Sequence, residues 1–318
     1  MNSAPAISVC IPAYNGDRFI GATIQSVLNQ TFKDFELIVS DDLSSDHTIE
    51  VVTLFPDPRI RLLRNDRNLG LGGNWNRVLS SALGKYVKLL CEDDLLHPDC
   101  LERQVRVLEN PIFGSVVLTV CARNIINENG RVVLRGRRSR FRGVVEGKRL
   151  IRGSIRGGTN FIGEPVVGLF RREALGKTAP CDTSNPFMSD LDLWAKLLKT
   201  GDAYVDPDCL ASFRISRQAA SSVIGLRQAA SFRTFARKQY TQAAYGVSRF
   251  DVFSGSVRSF GWCLVRNAVV RAFSGRARDD EALPISPMAI ANSATNPGSR
   301  TQAVQGTATA NRTCSSCT

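Results

Sequence analysis

The sequence holds no run approaching the roughly 18 to 20 uninterrupted apolar residues of a membrane-spanning helix. Its start, MNSAPAISVCIPAYN, has no basic segment followed by a long apolar stretch, so no secretory signal peptide is read there. Histidine is almost missing: His47 and His97 are the only 2 in 318 residues, both fall at helix starts, and neither supports a metal cluster. After the first apolar run there is no GxGxxG, which weighs against a dinucleotide-binding oxidoreductase. Nor is there a GxxxxGK followed by Ser or Thr, which weighs against a P-loop enzyme. No internal repeat is visible. The 9 cysteines are dispersed singly, with only Cys314 and Cys317 close together, a pattern of reduced thiols in a cytosolic protein rather than a disulfide framework. The terminal CSSC is a lone CxxC in a polar tail, which argues against a metal or redox role.

What is present suits one large or two modest domains. A hydrophobic fraction of 43% is ample for a core, and 22% charged residues is ordinary for a soluble chain. Lys and Arg number 41 against 29 Asp and Glu, a net charge of +12. That surplus favours polyanions, anionic membrane surfaces or phosphorylated substrates. No nucleic-acid-binding motif accompanies it, so nucleic acid is not expected as a partner.

Residues 7–12 (ISVCIP) read as a buried strand, 18–30 as a helix and 35–40 (FELIVS) as a second strand ending in Asp41 and Asp42. Ser44, Ser45 and Asp46 precede a second helix, 60–63 form a third strand, NLGLGGN a glycine-rich turn and 75–83 a helix. This alternation with short turns predicts a mainly parallel, Rossmann-like sheet flanked by helices. Further on, a helix runs to about Glu109, then come a strand at 115–121, a hairpin turn at NENG, a basic loop at 135–142 and a short strand at 166–170. A short helix at 192–199 and an edge strand at 204–214 complete the pattern.

The fourth strand carries the chemistry. KYVKLLCEDDLLHPD, residues 85–99, is an apolar run ending in Glu92, Asp93 and Asp94. Open α/β sheets bind ligands at the C-terminal edge of their strands, where adjacent carboxylates repel unless a cation lies between them. Other strand ends bring Pro12, Tyr14 and Asn15, and then Asp41 and Asp42, to the same rim. Alone, each Asp pair reads as a helix cap; together they read as a binding edge.

ISVCIPAYNG, LNQTFKDFELIVSDDLSSDHT, NLGLGGNWN and GKYVKLLCEDDLLHPD together resemble the family 2 glycosyltransferases, which have the GT-A fold. The resemblance spans about residues 6–215. It implies transfer of a sugar, with inversion, from a nucleotide-diphosphate donor to a saccharide or lipid-linked acceptor in cell-surface polysaccharide synthesis. By it, Tyr14 and Asp42 hold the nucleotide base, Asp93 serves the ribose and Asp94 a Mg²⁺ or Mn²⁺ cofactor; Pro12 and Asn15, at the first strand end, are expected among the substrate-binding residues. In SDLDLWAKL, Asp190 matches the family's base position and Asp192 is its rival; Ser189 stands where many members have Glu. Glu164 of IGEP fits either an acceptor contact or structural support. In FRISRQAASS, Ser216 replaces the family's histidine, leaving Arg214 or Arg217 to neutralise diphosphate. Other readings are a sugar-1-phosphate nucleotidyltransferase, disfavoured because PAYNGDR stands where its Gly-rich loop belongs, and a non-catalytic nucleotide-sugar-binding or scaffold protein.

The expected organisation is a transferase domain over 1–218, a basic helical segment over 219–280 and a disordered tail over 281–318. In the basic segment, arginines interleave with Phe260, Trp262, Leu264 and Val265. It either lies on an anionic membrane face or packs on the main domain as an appendage. The expected location is the cytoplasm, at the inner face of the cell membrane.

Overall fold

The first strand, β1 (Ile7–Ala13), is apolar on both faces and buried along its whole length, as a central parallel strand must be. In the computed structural model, which describes residues 4–136, 141–176, 181–216 and 227–275, it pairs in parallel with β2 (Phe35–Asp41) and β4 (Tyr86–Leu89). β2 in turn pairs in parallel with β3 (Ile60–Arg64). The sheet continues through β9 (Gly168–Arg171), β6 (Val116–Ile126) and β10 (Asp202–Arg214) to β5 (Leu95–Leu96), in the order β3-β2-β1-β4-β9-β6-β10-β5. β9 is antiparallel to both its neighbours, so β6 and β10 run in the same direction as the first four strands. This is the mainly parallel α/β sheet that the alternation of strands and helices predicts. Two short strands, β7 (Val132–Leu134) and β8 (Gly143–Val145), pair with β6 and β10.

The flanking helices are α1 (Asp17–Leu28), α2 (Thr48–Thr53), α3 (Gly70–Ser80), α4 (Cys100–Glu109), α5 (Gly147–Gly157) and α6 (Ser189–Leu197). Two more follow, α7 (Arg227–Thr241) and α8 (Arg249–Gly275), and α8 packs against both α5 and α7. At the centre of the core Trp194 meets Phe170 edge-on at 6.5 Å, and its indole N–H donates to the Gly163 carbonyl at 2.8 Å. Gly168 faces the same indole so closely that a Cβ there would lie 2.4 Å from it. The seven described cysteines are all free.

Several local expectations need correction. Most of the glycine-rich turn is the first part of α3, because the Asp42 carboxylate, just after β2, accepts from the N–H groups of Leu69 and Gly70. The strand at 204–214 is not an edge: β6 flanks it on one side, β5 and β8 on the other. α5 has no clear signature in the sequence, because interspersed arginines and glycines mask its Leu150, Ile151, Ser154 and Ile155 stripe. Arg217, residues 137–140 of the basic loop, and the tail with its CSSC lie outside the described residues.

Candidate active site

The parallel register brings the ends of β1, β2 and β4 to one rim. Ala13 lies opposite Asp41, and the Asp42 N–H donates to the Ala13 carbonyl at 2.9 Å. Pro12 lies within β1 opposite Ser40 and is buried; Tyr14 follows it and is 49% exposed. Asn15 sits in the left-handed region at φ 52°, which asparagine tolerates. Its N–H donates to Ser44 Oγ at 3.0 Å and its Oδ1 accepts from the Ser45 N–H at 2.8 Å. The loops after β1 and β2 are thereby tied together.

The two aspartates after β2 differ. Asp42 is buried with both oxygens engaged: Oδ1 accepts from the Leu69 N–H and from Asn65 Nδ2, each at 2.8 Å, and Oδ2 from the Gly70 N–H at 2.9 Å. Asn74 completes this network, accepting from Asn65 at 3.2 Å and donating to the Ser40 carbonyl at 2.9 Å. The Asp42 carboxylate therefore builds the α3 end of the rim. Asp41, equally buried, accepts only a 3.3 Å bond from the Ser44 N–H, and its Oδ1 has no hydrogen-bond partner among the described residues.

After β4, Asp94 is fully buried. Its Oδ1 accepts from the Arg214 N–H at 3.0 Å, while Oδ2 has no hydrogen-bond partner among the described residues. Burial, then the charge of Asp93, pushes its proton affinity well above the ordinary carboxylate range. Asp93 is raised by burial, against the opposing charge of Arg214. Glu92 is pushed up to about 8 by burial and by Asp93. Its side chain covers Gly16, where a Cβ would lie 2.7 Å from the Glu92 Cγ, and its carbonyl accepts from Thr23 at 2.7 Å. Glu92 therefore packs over the start of α1.

Arg214, from β10, locks this turn. Nε donates to the Asp93 carbonyl at 2.7 Å, one terminal nitrogen donates to the Asn127 and Glu128 carbonyls, and the guanidinium lies over Phe19 at 4.7 Å. Nε and one terminal nitrogen of Arg214 thus serve the backbone carbonyls of this turn.

The opposite wall comes from β6, α6 and the loop before β9. Asp190, in the first turn of α6, accepts from Asn160 Nδ2 at 2.9 Å and from the Leu191 N–H at 2.7 Å. Asn160 also donates to the Gly163 carbonyl at 2.8 Å and accepts from the N–H groups of Ile162 and Gly163. Glu164 is ion-paired with Arg123 of β6, with one contact at 2.7 Å. Asp190 and Glu164 share a field with the β4 carboxylates: burial, Asp94, Asp93, Glu92 and Asp190 together push the Cys91 thiol up, and Glu164 contributes to the rise at Asp94. Asp192 is placed differently. It is buried, paired with Lys196 at 3.0 Å and Lys238 at 3.7 Å, and accepts from the Asp182 N–H at 3.2 Å. Asn65, Asn74, Asn160 and Arg123 escaped the sequence reading; buried asparagines carry no pattern, and only NWN around Asn74 stood inside a recognised motif.

Among the described residues no three His, Cys, Asp or Glu converge as a closed metal cage. Asp94 nonetheless offers a buried carboxylate oxygen without a partner, the donor expected of a hard cation that takes its other ligands from phosphate oxygens and water. The residues present fit a divalent metal.

Solved structures with this fold include GT-A glycosyltransferases. A Staphylococcus aureus TarS fragment in complex with UDP-GlcNAc superposes with a TM-score of 0.58 at 17% identity, covering 86% of this chain and 76% of that one. The Pyrobaculum calidifontis mannosyltransferase PcManGT, in complex with GDP-Man and Mn²⁺, gives 0.57 at 18% identity, covering 89% and 78%. The sequence pattern of glycosyl transferase family 2 matches residues 8–178, and the chain belongs to that family. An uncharacterised Mycobacterium tuberculosis protein is 34% identical over 61% of this chain and 62% of its own length. The Escherichia coli UDP-Glc:α-D-GlcNAc-diphosphoundecaprenol β-1,3-glucosyltransferase WfgD is 40% identical over 40% of this chain and 49% of its own. The Rhizobium meliloti succinoglycan biosynthesis protein ExoO is 37% identical over 41% and 37%. The chain thus spans less than two thirds of the length of each of these relatives.

Proposed function

We propose that the protein transfers a glycosyl group, with inversion, from a nucleotide-diphosphate sugar to a saccharide or lipid-linked acceptor in cell-surface polysaccharide synthesis at the cytoplasmic membrane face. The observation that carries this is the pairing of a partnerless buried oxygen on Asp94 with a positioned carboxylate, Asp190, in the same field. Asp94 would hold Mg²⁺ or Mn²⁺, which when bound neutralises charge on the departing diphosphate. Tyr14 offers a stacking face for the base, beside the rim that Asp42 and Asn15 hold together, and Asp93 accepts from the ribose.

Asp190 takes the proton from the acceptor hydroxyl as its oxygen attacks the anomeric carbon. The bond from that carbon to the phosphate oxygen breaks, and the nucleoside diphosphate leaves on the opposite side. Asn160 supports this choice, because it orients the Asp190 carboxylate from a loop fixed by the Trp194 indole. Asp192 is disfavoured, since Lys196 and Lys238 already occupy its oxygens. Glu164 holds Arg123 and shapes the acceptor wall.

A thermal-shift screen of nucleotide sugars with and without Mn²⁺ tests the donor side. A donor at 100 times its Kd adds about 2.7 kcal/mol of stability. Asp94→Ala is expected to abolish the Mn²⁺-dependent part of the shift and the turnover. An unchanged Mn²⁺ response in that variant would remove Asp94 from the metal site.

A further inference from the structure

α8 is packed inside out. Its buried face is Asp251, Gly255, Ser259 and Cys263, spaced four residues apart, and these small or polar groups lie against α5. The approach is close enough that a Cβ at Gly255 would lie 1.9 Å from the Ile155 carbonyl oxygen, and one at Gly158 2.5 Å from the Ser259 nitrogen. The large apolar residues face the other way. Phe250, Phe253, Val257, Phe260 and Leu264 recur at helical spacing on one stripe, each between 50% and 68% exposed. On a helical wheel, exposed Arg249 and Arg258 border that stripe on either side.

α5 adds charge beside it. Lys148, Arg149, Arg152 and Arg156 share one exposed arc of α5. Arg152 reaches Asp251 at the start of α8 at 3.0 Å, and Arg156 lies 5.7 Å from the Phe250 ring centre. The Arg258 guanidinium donates to the Arg156 carbonyl at 3.1 Å. An exposed aromatic stripe bordered by cations, on a helix that is not apolar enough to cross a bilayer, matches an interfacial helix on anionic lipid. The tail beyond Gly275 is a poor cover for it, because from Leu283 on it is mostly small and polar residues.

We propose that the α5–α8 face is a docking surface for an anionic membrane, with the Phe250–Leu264 stripe inserted at the headgroup boundary and the surrounding arginines and lysine on lipid phosphates. A short chain segment joins this face to the residue that holds Asp190. Trp262 of α8 donates to the Gly157 carbonyl at 3.2 Å, and the chain runs from there to Asn160, which holds Asp190, with exposed Phe161 next to it in the chain. Resting on the glycosyltransferase reading, this would present a lipid-linked acceptor to the base without a diffusive step through water.

The test is flotation of the full chain with phosphatidylcholine vesicles, and with vesicles containing about 30 mol% phosphatidylglycerol. The chain should float with the anionic vesicles and be released by high salt. Phe253→Ser/Phe260→Ser and Lys148→Glu/Arg149→Glu, all at exposed positions, should each lower partitioning by about tenfold or more with unchanged melting temperature. Flotation of both variants equal to wild type would overturn the proposal. So would a wild-type chain that stays off the vesicles and forms a dimer in sedimentation that Phe253→Ser/Phe260→Ser dissociates. Because flotation reads no catalysis, its failure is distinct from failure of the glycosyltransferase assignment.

Discussion

Leu43 holds φ 63° while 54% exposed, in the loop between Asp42 and the serines that bind Asn15. A left-handed residue with a Cβ costs about 1–2 kcal/mol, and glycine there gives back only about 0.5–1 kcal/mol in extra chain entropy. Leu43→Gly should therefore raise stability by about 0.5–1 kcal/mol in urea titration. A loss would mean that the leucine side chain makes a contact worth more than the strain. At Asp42 the balance is reversed. Asp42→Ala leaves the half-buried Leu69 N–H and the buried Asn65 amide short of an acceptor, while the Gly70 N–H keeps Asn68 Oδ1, and should cost about 1–2 kcal/mol besides weakening nucleotide binding.

At the scale of elements, α8 begins with a reciprocal cap. Ser248 Oγ accepts from the Asp251 N–H at 3.1 Å, and Asp251 Oδ2 accepts from the Ser248 N–H at 3.0 Å. Burial works to raise the Asp251 carboxyl, but the Ser248 bonds and Arg152 outweigh it and hold it below its ordinary value. A depressed folded-state pKa gives stability that is present above the unfolded value near 4 and is lost as pH falls through the folded one. Asp251→Asn should thus cost about 1 kcal/mol at neutral pH, with the gap to wild type closing below about pH 4 in denaturant melts. A gap independent of pH would contradict an ionised cap. Between β9 and α6 the limit is space: Gly168→Ala would drive a methyl into the Trp194 indole and should destabilise by about 1–3 kcal/mol.

Across the whole molecule, the legible parts were those with a period or a rim. The buried β1 and β2 runs, the NENG hairpin and the carboxylates after β2 and β4 all announce themselves through alternation, turn chemistry or clustered charge. Pairings between distant segments were not legible. That Arg214 closes the acidic turn, that Asn160 reaches Asp190, and that Asp42 starts α3 depend on contacts between residues 27 to 121 positions apart. Lys88 shows the same limit from inside the core. It sits fully buried in an otherwise apolar strand, and its amine donates to Gln104 of α4 at 3.0 Å, a partner that no local pattern reveals. The orientation of α8 was illegible for a related reason: its apolar stripe would ordinarily predict the buried face, and only packing on α5 shows that it is the exposed one.

The central claim is that Asp190 is the base of a glycosyl transfer. Its most direct measurement is the turnover of Asp190→Asn with the donor sugar and Mn²⁺, beside the nucleotide affinity of the same variant. Asparagine keeps the shape and can still bond Asn160 but cannot take a proton, so kcat should fall about 10²–10⁴-fold with nucleotide binding unchanged. Turnover equal to wild type, with nucleotide binding intact, would contradict the account.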